Sequence, residues 1–219
     1  MTMDFQQARF NMVEQQVRPW DVLDQGVLDA LLQLPRDAFV PDAFRQLAYS
    51  DTRIPLGHGK FMMTPKVEAR MVQALGLKGT DRVLEIGTGS GYVTALLARF
   101  SRSVLSLELD PELAAEARRR LRAQGCVNVS VVVADGLAGS PENGPFDAIA
   151  VTGALTQRSA ALESQLAIGG RLFAVVGQGH AMPALLVTRR SETEFSEESL
   201  FETELDPLLG AEPKPSFRF

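Results

Sequence analysis

Val83-Leu84-Glu85-Ile86-Gly87-Thr88-Gly89-Ser90-Gly91-Tyr92 is the stretch on which the fold turns. A short apolar run reads as a strand, and an apolar helical pattern over 91–99 follows it. Between them Gly87, Gly89 and Gly91 stand at alternate positions. Glycines there permit a tight turn and let a ligand approach the backbone. The start of the helix offers unpaired N–H groups to anionic ligand atoms. The third glycine comes one position too early for the G-x-G-x-x-G dinucleotide fingerprint. Glu85 beside the turn would also repel a pyrophosphate, whereas a carboxylate suits a cationic amino-acid end or a water network.

The next strand, Val104-Leu105-Ser106-Leu107-Glu108, ends on an acid where an α/β nucleotide site places a carboxylate for two ribose hydroxyls. Asp110-Pro111 then opens a helix. A third strand ends at Ala134-Asp135-Gly136, where Asp135 is placed either to reach an adenine amino group or to cap a turn. Any one of these acids alone is as well explained by capping. Glu85, Glu108 and Asp135 at the carboxyl ends of successive strands are a different matter, because open sheets bind ligands along that edge. The combination points to an adenosyl cofactor.

The rest of the chain supports the same frame. Residues 4–18 read as a helix with Phe5, Ala8, Met12 and Val13 on one face, limited by Pro19. A second helix is expected over 22–34, capped by Asp21, with Leu23, Val27, Leu28, Leu31 and Leu32 as its apolar stripe and Pro35 as its stop. A short helix or turn reaches Tyr49. Residues 50–63, with Pro55, Gly57 and Gly59, read as a loop. Thr64-Pro65 is a hydroxyl cap followed by proline at the first helical position. Beyond Gly76, strands (82–86, 102–108, 127–133, 146–151, 171–176) alternate with helices (91–99, 111–124, 157–167), and 185–189 and 198–205 form a terminal antiparallel pair. The pattern predicts an α/β fold with a mostly parallel twisted sheet covered by helices on both faces. One domain spanning 1–219 is expected, with a helical N-terminal cap over 1–75 and the α/β core with its C-terminal strands over 76–219. Pro207, Pro213 and Pro215 punctuate an irregular tail in which Phe217 and Phe219 tuck against the body or make a self-contact.

Composition narrows the function classes. The 219 residues are 45% apolar and carry a formal charge of −5. That charge gives no broad nucleic-acid-binding face, and the run Arg118-Arg119-Arg120 with Arg122 reads as a solvated helix face. Cys126 is the single cysteine, so no internal disulfide forms and a reducing, cytoplasmic setting fits. It reads as a small buried hydrophobe. With His58 and His180 the only histidines, no zinc-ligand spacing is present and no metal is expected. No signal peptide or membrane span is read, and a monomer is the default.

The residues Glu85-Ile86-Gly87-Thr88-Gly89-Ser90-Gly91, Glu108, Asp135-Gly136 and Val151-Thr152-Gly153-Ala154 resemble the successive signatures of class I S-adenosylmethionine-dependent methyltransferases. More narrowly, the chain resembles the protein-L-isoaspartate O-methyltransferase family over most of its length. The carrying stretches are Val17-Arg18, Arg36 through Pro41, Tyr49-Ser50-Asp51, Ile54 through Gly59, Thr64-Pro65 through Met71, Gly169 through Leu172 and Val176-Gly177. The resemblance implies a Rossmann-like fold with S-adenosyl-L-methionine as donor and S-adenosyl-L-homocysteine as product. It implies a cofactor set of Glu85, Ile86, Gly87, Thr88, Gly89, Gly91, Glu108, Leu109, Asp135, Gly136 and Thr152. It also implies a protein-repair reaction, in which the carboxyl of an isoaspartyl residue in a damaged protein is methylated, collapses to a succinimide and reopens as aspartate.

The sequence departs from that family where a Thr-Ile-Ser-Gln/Ala-Pro stretch is usual. Phe61 replaces the threonine, Met62 the isoleucine, Met63 the serine and Thr64 the glutamine or alanine. The usual hydroxyl is absent, and Thr64 supplies one a residue later. Ala174-Val175-Val176-Gly177 lacks the family's proline, and Gly153 stands where alanine is common. Phe61 and Met62 read either as core contacts or as walls of a pocket reshaped for a more apolar acceptor. The candidate catalytic positions are Thr64, Met63 in the place of the serine, and His58, with Lys60 as a possible partner for an anionic acceptor and His180 at a strand end. Three classes stay open: an isoaspartyl carboxyl methyltransferase, a methyltransferase of the same fold acting on another small or protein acceptor, and a non-catalytic cofactor-binding protein.

Overall fold

The computed structural model describes residues 4–211. The expected tail beyond them, with Pro213, Pro215, Phe217 and Phe219, lies outside the described residues. The N-terminal part is helical. Asp4 caps α1 (Phe5–Met12) by accepting from the Gln6 and Gln7 amides, and a π turn over Val13–Val17 and a 3-10 turn through Pro19 extend it. α2 (Gln25–Gln33) begins three residues later than expected. Asp24 rather than Asp21 is its cap, accepting from the Val27 amide at 3.0 Å, while Asp21 sits in the left-handed region and Leu23 is exposed. The sequence carries two aspartates with equal capping chemistry, and only the turn after Pro19 decides between them.

Residues 50–63 hold more structure than a loop. β1 (Ile54–Gly57) and β2 (Lys60–Met62) form an antiparallel hairpin around Gly57-His58-Gly59, all three with positive φ. α3 (Pro65–Leu75) starts at Thr64 and stops at the left-handed Gly76. The Thr64 side chain makes no capping hydrogen bond, contrary to its expected role, and its Oγ1 is buried without a partner.

The remaining strands form one sheet: β3 (Arg82–Ile86), β4 (Ser103–Glu108), β5 (Val129–Val133), β6 (Phe146–Val151), β7 (Leu166–Val175), β8 (Met182–Arg189) and β9 (Phe195–Thr203). Their order is β5-β4-β3-β6-β7-β8-β9. Pairings from β5 through β7 are parallel, and β8 and β9 add antiparallel, as expected. β3 and β6 are almost wholly buried, which is why both read as continuous apolar runs. Asp110 caps α5 (Pro111–Ala123), and Gly91 precedes α4 (Tyr92–Phe100). The segment expected as a helix over 157–167 keeps one turn, α6 (Ala160–Glu163). Phe146 pairs with Leu166, so the chain enters β7 there and the helical period is overridden.

Two apolar clusters flank the sheet. One joins the N-terminal helices, α3, α4 and α5 to Val83, Val104, Ala148, Ala150 and Phe173. The other packs Leu84, Ile86, Leu107, Ile149, Val151 and Leu172 with Leu162 of α6. Helices therefore cover both faces, unequally. Arg120 does not belong to a solvated face: it is 8% exposed and pairs with Glu116 at 2.6 Å, while Arg118 donates to the Val131 carbonyl. Cys126 is half-buried against the first cluster. Among the described residues no helix is long and apolar enough to cross a membrane, and no group of metal-ligating side chains gathers.

Candidate active site

The carboxyl ends of β3, β4, β5 and β6 open onto a cavity of about 410 Å³, within the range of small-molecule sites. Its floor is the turn after β3. Gly87, Gly89 and Gly91 hold φ of 92°, 52° and 87°, a region that favours glycine. Thr152, at the end of β6, locks this turn by donating from Oγ1 to the carbonyls of Ile86 (2.9 Å) and Gly87 (2.5 Å). A Cβ on Gly87 would come within 2.4 Å of that hydroxyl, and one on Gly136 within 2.6 Å of Ile86 Cγ2. Bare backbone therefore lines the cavity at both places by packing necessity.

Glu108 is held rigidly. Its Oε2 accepts from the Gly89 amide at 2.8 Å and its Oε1 from the Asp110 amide at 3.0 Å. Each oxygen keeps a further lone pair for a ligand hydroxyl. Asp135 is exposed at the cavity edge, with Oδ1 accepting from the Leu137 amide at 3.0 Å. Ile86, Leu107, Leu109 and Leu137 supply apolar walls beside these acids. This donor set fits an adenosyl group: flat apolar surfaces for a base, fixed acceptors for hydroxyls and an amine, and room for backbone-close approach.

Glu85 and Thr88 stand apart from the main cavity. Glu85 is fully buried under the glycine turn, where its Oε2 accepts from Thr94 and Ser106 at 2.5 Å each. Burial pushes its carboxyl up to about 8, against the pull of those two hydroxyls. Ser106 in turn meets the Thr88 hydroxyl at 2.5 Å. These residues support the turn from below, and Thr88 lines a smaller adjoining space of about 40 Å³.

The hairpin forms one wall. Leu56, His58, Lys60 and Phe61 line the main cavity, and Leu56 and Phe61 continue into the smaller one with Met62, Met63 and Glu68. His58 has a left-handed backbone, and its ring bridges Asp110 Oδ2 (2.6 Å from Nδ1) and Glu112 Oε2 (3.2 Å from Nε2). Both ring nitrogens are thereby engaged, and the ring ties the hairpin tip to the start of α5. Met62 and Met63 are buried, whereas Phe61 is 43% exposed beneath the Arg53 guanidinium, 4.9 Å from its ring centre. Phe61 is therefore a wall residue and not a core contact. Thr64 lines neither cavity. Its backbone neighbourhood is set by Arg36, wholly buried, which donates to the carbonyls of Met63 (2.7 Å) and Ala48 (2.6 Å) and forks onto Glu68 at 2.9 and 3.1 Å. His180 is exposed beside Glu204 at 3.1 Å and lines neither space.

One wall was not anticipated. Leu205 through Leu209 close the cavity on the far side. Pro207 bridges Ala154, the Ala154 amide donates to the Asp206 carbonyl, and the Asp206 side chain pairs with Arg53. Sequence signals for this strap are weak: a proline after an acid, followed by two leucines, reads as ordinary punctuation.

Comparison with known proteins gives a consistent picture. The family model described as protein-L-isoaspartate(D-aspartate) O-methyltransferase matches residues 8–212. Protein-L-isoaspartate O-methyltransferase 2 of Marinobacter nauticus is 44% identical over 213 residues, 97% of this chain and 97% of that protein. The enzyme of the same name from Pelobacter propionicus is 42% identical over 202 residues, covering 92% of this chain and 90% of its own. Among solved structures, a protein-L-isoaspartate O-methyltransferase superposes with a TM-score of 0.78 at 24% identity, over 94% of this chain and 66% of that one. A Plasmodium falciparum structure described as a beta-aspartate methyltransferase in complex with S-adenosyl-L-homocysteine gives 0.78 at 20% identity, over 94% and 99%. At those identities the two structures speak for the fold.

Proposed function

Because the chain belongs to the protein-L-isoaspartate O-methyltransferase family, we propose that it transfers a methyl group to the free carboxylate of an isoaspartyl residue in damaged protein. It is an S-adenosylmethionine-dependent methyltransferase, and its peptide or protein acceptor is the part that the reading adds. The observation that carries the reading is the glycine-floored cavity with Glu108 and Asp135 on its rim, adjoining the hairpin wall at Lys60 and Phe61.

When bound, the cofactor supplies an activated methyl: a C–O bond forms as the C–S bond breaks, and S-adenosyl-L-homocysteine leaves. The protein's residues position the partners. Gly87, Gly89 and Gly136 allow close backbone approach, Glu108 would accept from the ribose hydroxyls, Asp135 from the adenine amine, and Leu109 and Ile86 would flank the base. Gly91 and Thr88 shape the turn, Thr152 locks it, and Glu85 props it from beneath. A carboxylate acceptor is already ionised and needs no general base, so His58 is assigned as a tether of the hairpin. Thr64 stands next to the position of the family serine, but its buried hydroxyl lines neither space and is given no part in the transfer.

The buried Met63 and the bulk of Phe61 favour a second reading, in which the same chemistry serves another, more apolar acceptor. A monomer in the cytoplasm completes the first reading; the lone Cys126, which can form no internal disulfide, fits the reducing setting. The test is transfer of labelled methyl from S-adenosylmethionine to an isoaspartyl peptide beside its aspartyl twin. Base-labile labelling of the isoaspartyl peptide alone is expected. Cofactor binding without any labelling of it would hand the site to the second reading.

A further inference from the structure

We infer that Lys60 is the specificity-determining residue that recognises the negative charge of the acceptor, an assignment that rests on the carboxylate-acceptor reading. The charge balance of the cavity leads to it. Four carboxylates line the space: Asp206 is paired with Arg53 and Asp110 with His58, whereas Glu108 and Asp135 have no cationic partner among the described residues. An incoming carboxylate meets their combined repulsion in a partly desolvated place, where it needs a counter-charge.

Few cations are available to provide one. Of the residues lining the cavity, only His58 and Lys60 are basic. His58 is occupied on both nitrogens by Asp110 and Glu112. Arg53, just behind Phe61, is spoken for by Asp206 and Glu204 and stacks on the Phe61 ring. Arg36 is buried on Glu68 and on main-chain carbonyls. Lys60 is the one cation among the described lining residues whose side chain makes no hydrogen bond or ion pair.

Its place in the fold fits the role. Lys60 opens β2 and pairs across the hairpin with Gly57, next to the exposed tip. It shares its wall with Leu56 and Phe61, the residues that continue into the smaller space beside Met63. The side chain is half-buried, so its ammonium can reach an incoming group from the mouth while its stem covers apolar surface. The adenosyl-binding acids stand at the ends of β4 and β5, on elements remote in sequence from this wall. An ammonium there attracts the acceptor without taking part in bond making, so its effect belongs in acceptor binding and not in turnover.

The experiment compares the wild-type protein with Lys60→Gln and Lys60→Arg. Steady-state labelling of an isoaspartyl peptide gives kcat and KM. Calorimetry gives the affinity for S-adenosyl-L-homocysteine and then the affinity of the saturated protein for the same peptide. Lys60→Gln is expected to raise KM and weaken peptide binding by about ten-fold, leave kcat within about two-fold and leave the S-adenosyl-L-homocysteine affinity unchanged. Lys60→Arg is expected to restore most of the loss. Unchanged peptide binding in Lys60→Gln, with an active wild type, overturns the assignment alone. Weakened S-adenosyl-L-homocysteine binding in that variant also overturns it, since Lys60 would then hold the amino-acid end of the cofactor. If the wild type neither labels nor binds the isoaspartyl peptide, the acceptor reading fails and the assignment falls with it.

Discussion

Glu85 illustrates how one buried side chain can be read for its place and not for its partners. Its position before the glycine run is legible in the sequence, as are Glu108 and Asp135, because backbone demands confine glycines and strand-end acids to few places. Its surroundings were not legible: Thr94 and Ser106 lie 9 and 21 residues away, and only the sheet register brings them together. The consequence is a pH dependence. The folded-state value of about 8 lies above the ordinary 4.5, so the native protein holds this proton more tightly than the unfolded chain. The stabilising contribution is complete below about pH 4.5 and is lost as pH rises toward 8, by at most about 1.4 kcal/mol per pH unit. Glu85→Gln is expected to flatten this part of the stability profile and to gain on the wild type at pH 8 in thermal unfolding. Parallel profiles for the two proteins would refute the assignment of that slope to Glu85.

At the scale of elements, Arg36 joins three that are distant in the chain. It takes Ala48 from the turn before the hairpin, Met63 from the link between β2 and α3 and Glu68 from α3, and its guanidinium lies 5.5 Å from the Tyr92 ring centre of α4. Removing one partner of a buried ion pair leaves the other uncompensated and costs about 3–5 kcal/mol. Arg36→Met is expected to lose that much by denaturant unfolding. Restoration by Glu68→Gln in the same chain, at least in part, would distinguish charge burial from lost packing. The elements were read from sequence with uneven success for related reasons. β3, α4, β4 and α5 stand out because their burial is one-sided or complete. The hairpin did not, because Pro55, Gly57 and Gly59 break the alternation in strands of four and three residues. Over 157–167 only one helical turn forms, because the helical spacing of Leu162 and Leu166 is overridden by the pairing of Leu166 with Phe146.

For the whole molecule, the cavity is a meeting point of remote segments. Its walls come from the hairpin, the ends of β3 to β6 and the strap Leu205–Leu209. A ligand that binds only this assembled state stabilises it by mass action, about 2.7 kcal/mol at a hundred-fold excess over Kd. S-adenosyl-L-homocysteine at that excess is expected to raise the unfolding temperature and to slow proteolysis within 50–63 and 204–211. An unchanged cleavage rate in both segments would show that neither closes on the ligand. The strap was the least legible feature, whereas Lys60, His58 and Phe61 of the hairpin wall already stand out in the sequence. Arg53 and Asp206 are separated by 153 positions, and no local pattern announces such a pair.

The bridge between Pro207 and Ala154 also has a bearing on biosynthesis. The strap follows the turn at 87–91 and the strand-end acids in the chain, so those parts are synthesised before the pocket has its final wall. A growing chain thus has the floor and the acidic rim of its pocket before Leu205–Leu209 can close the far side, and a product truncated before Leu205 would keep both while leaving that side open.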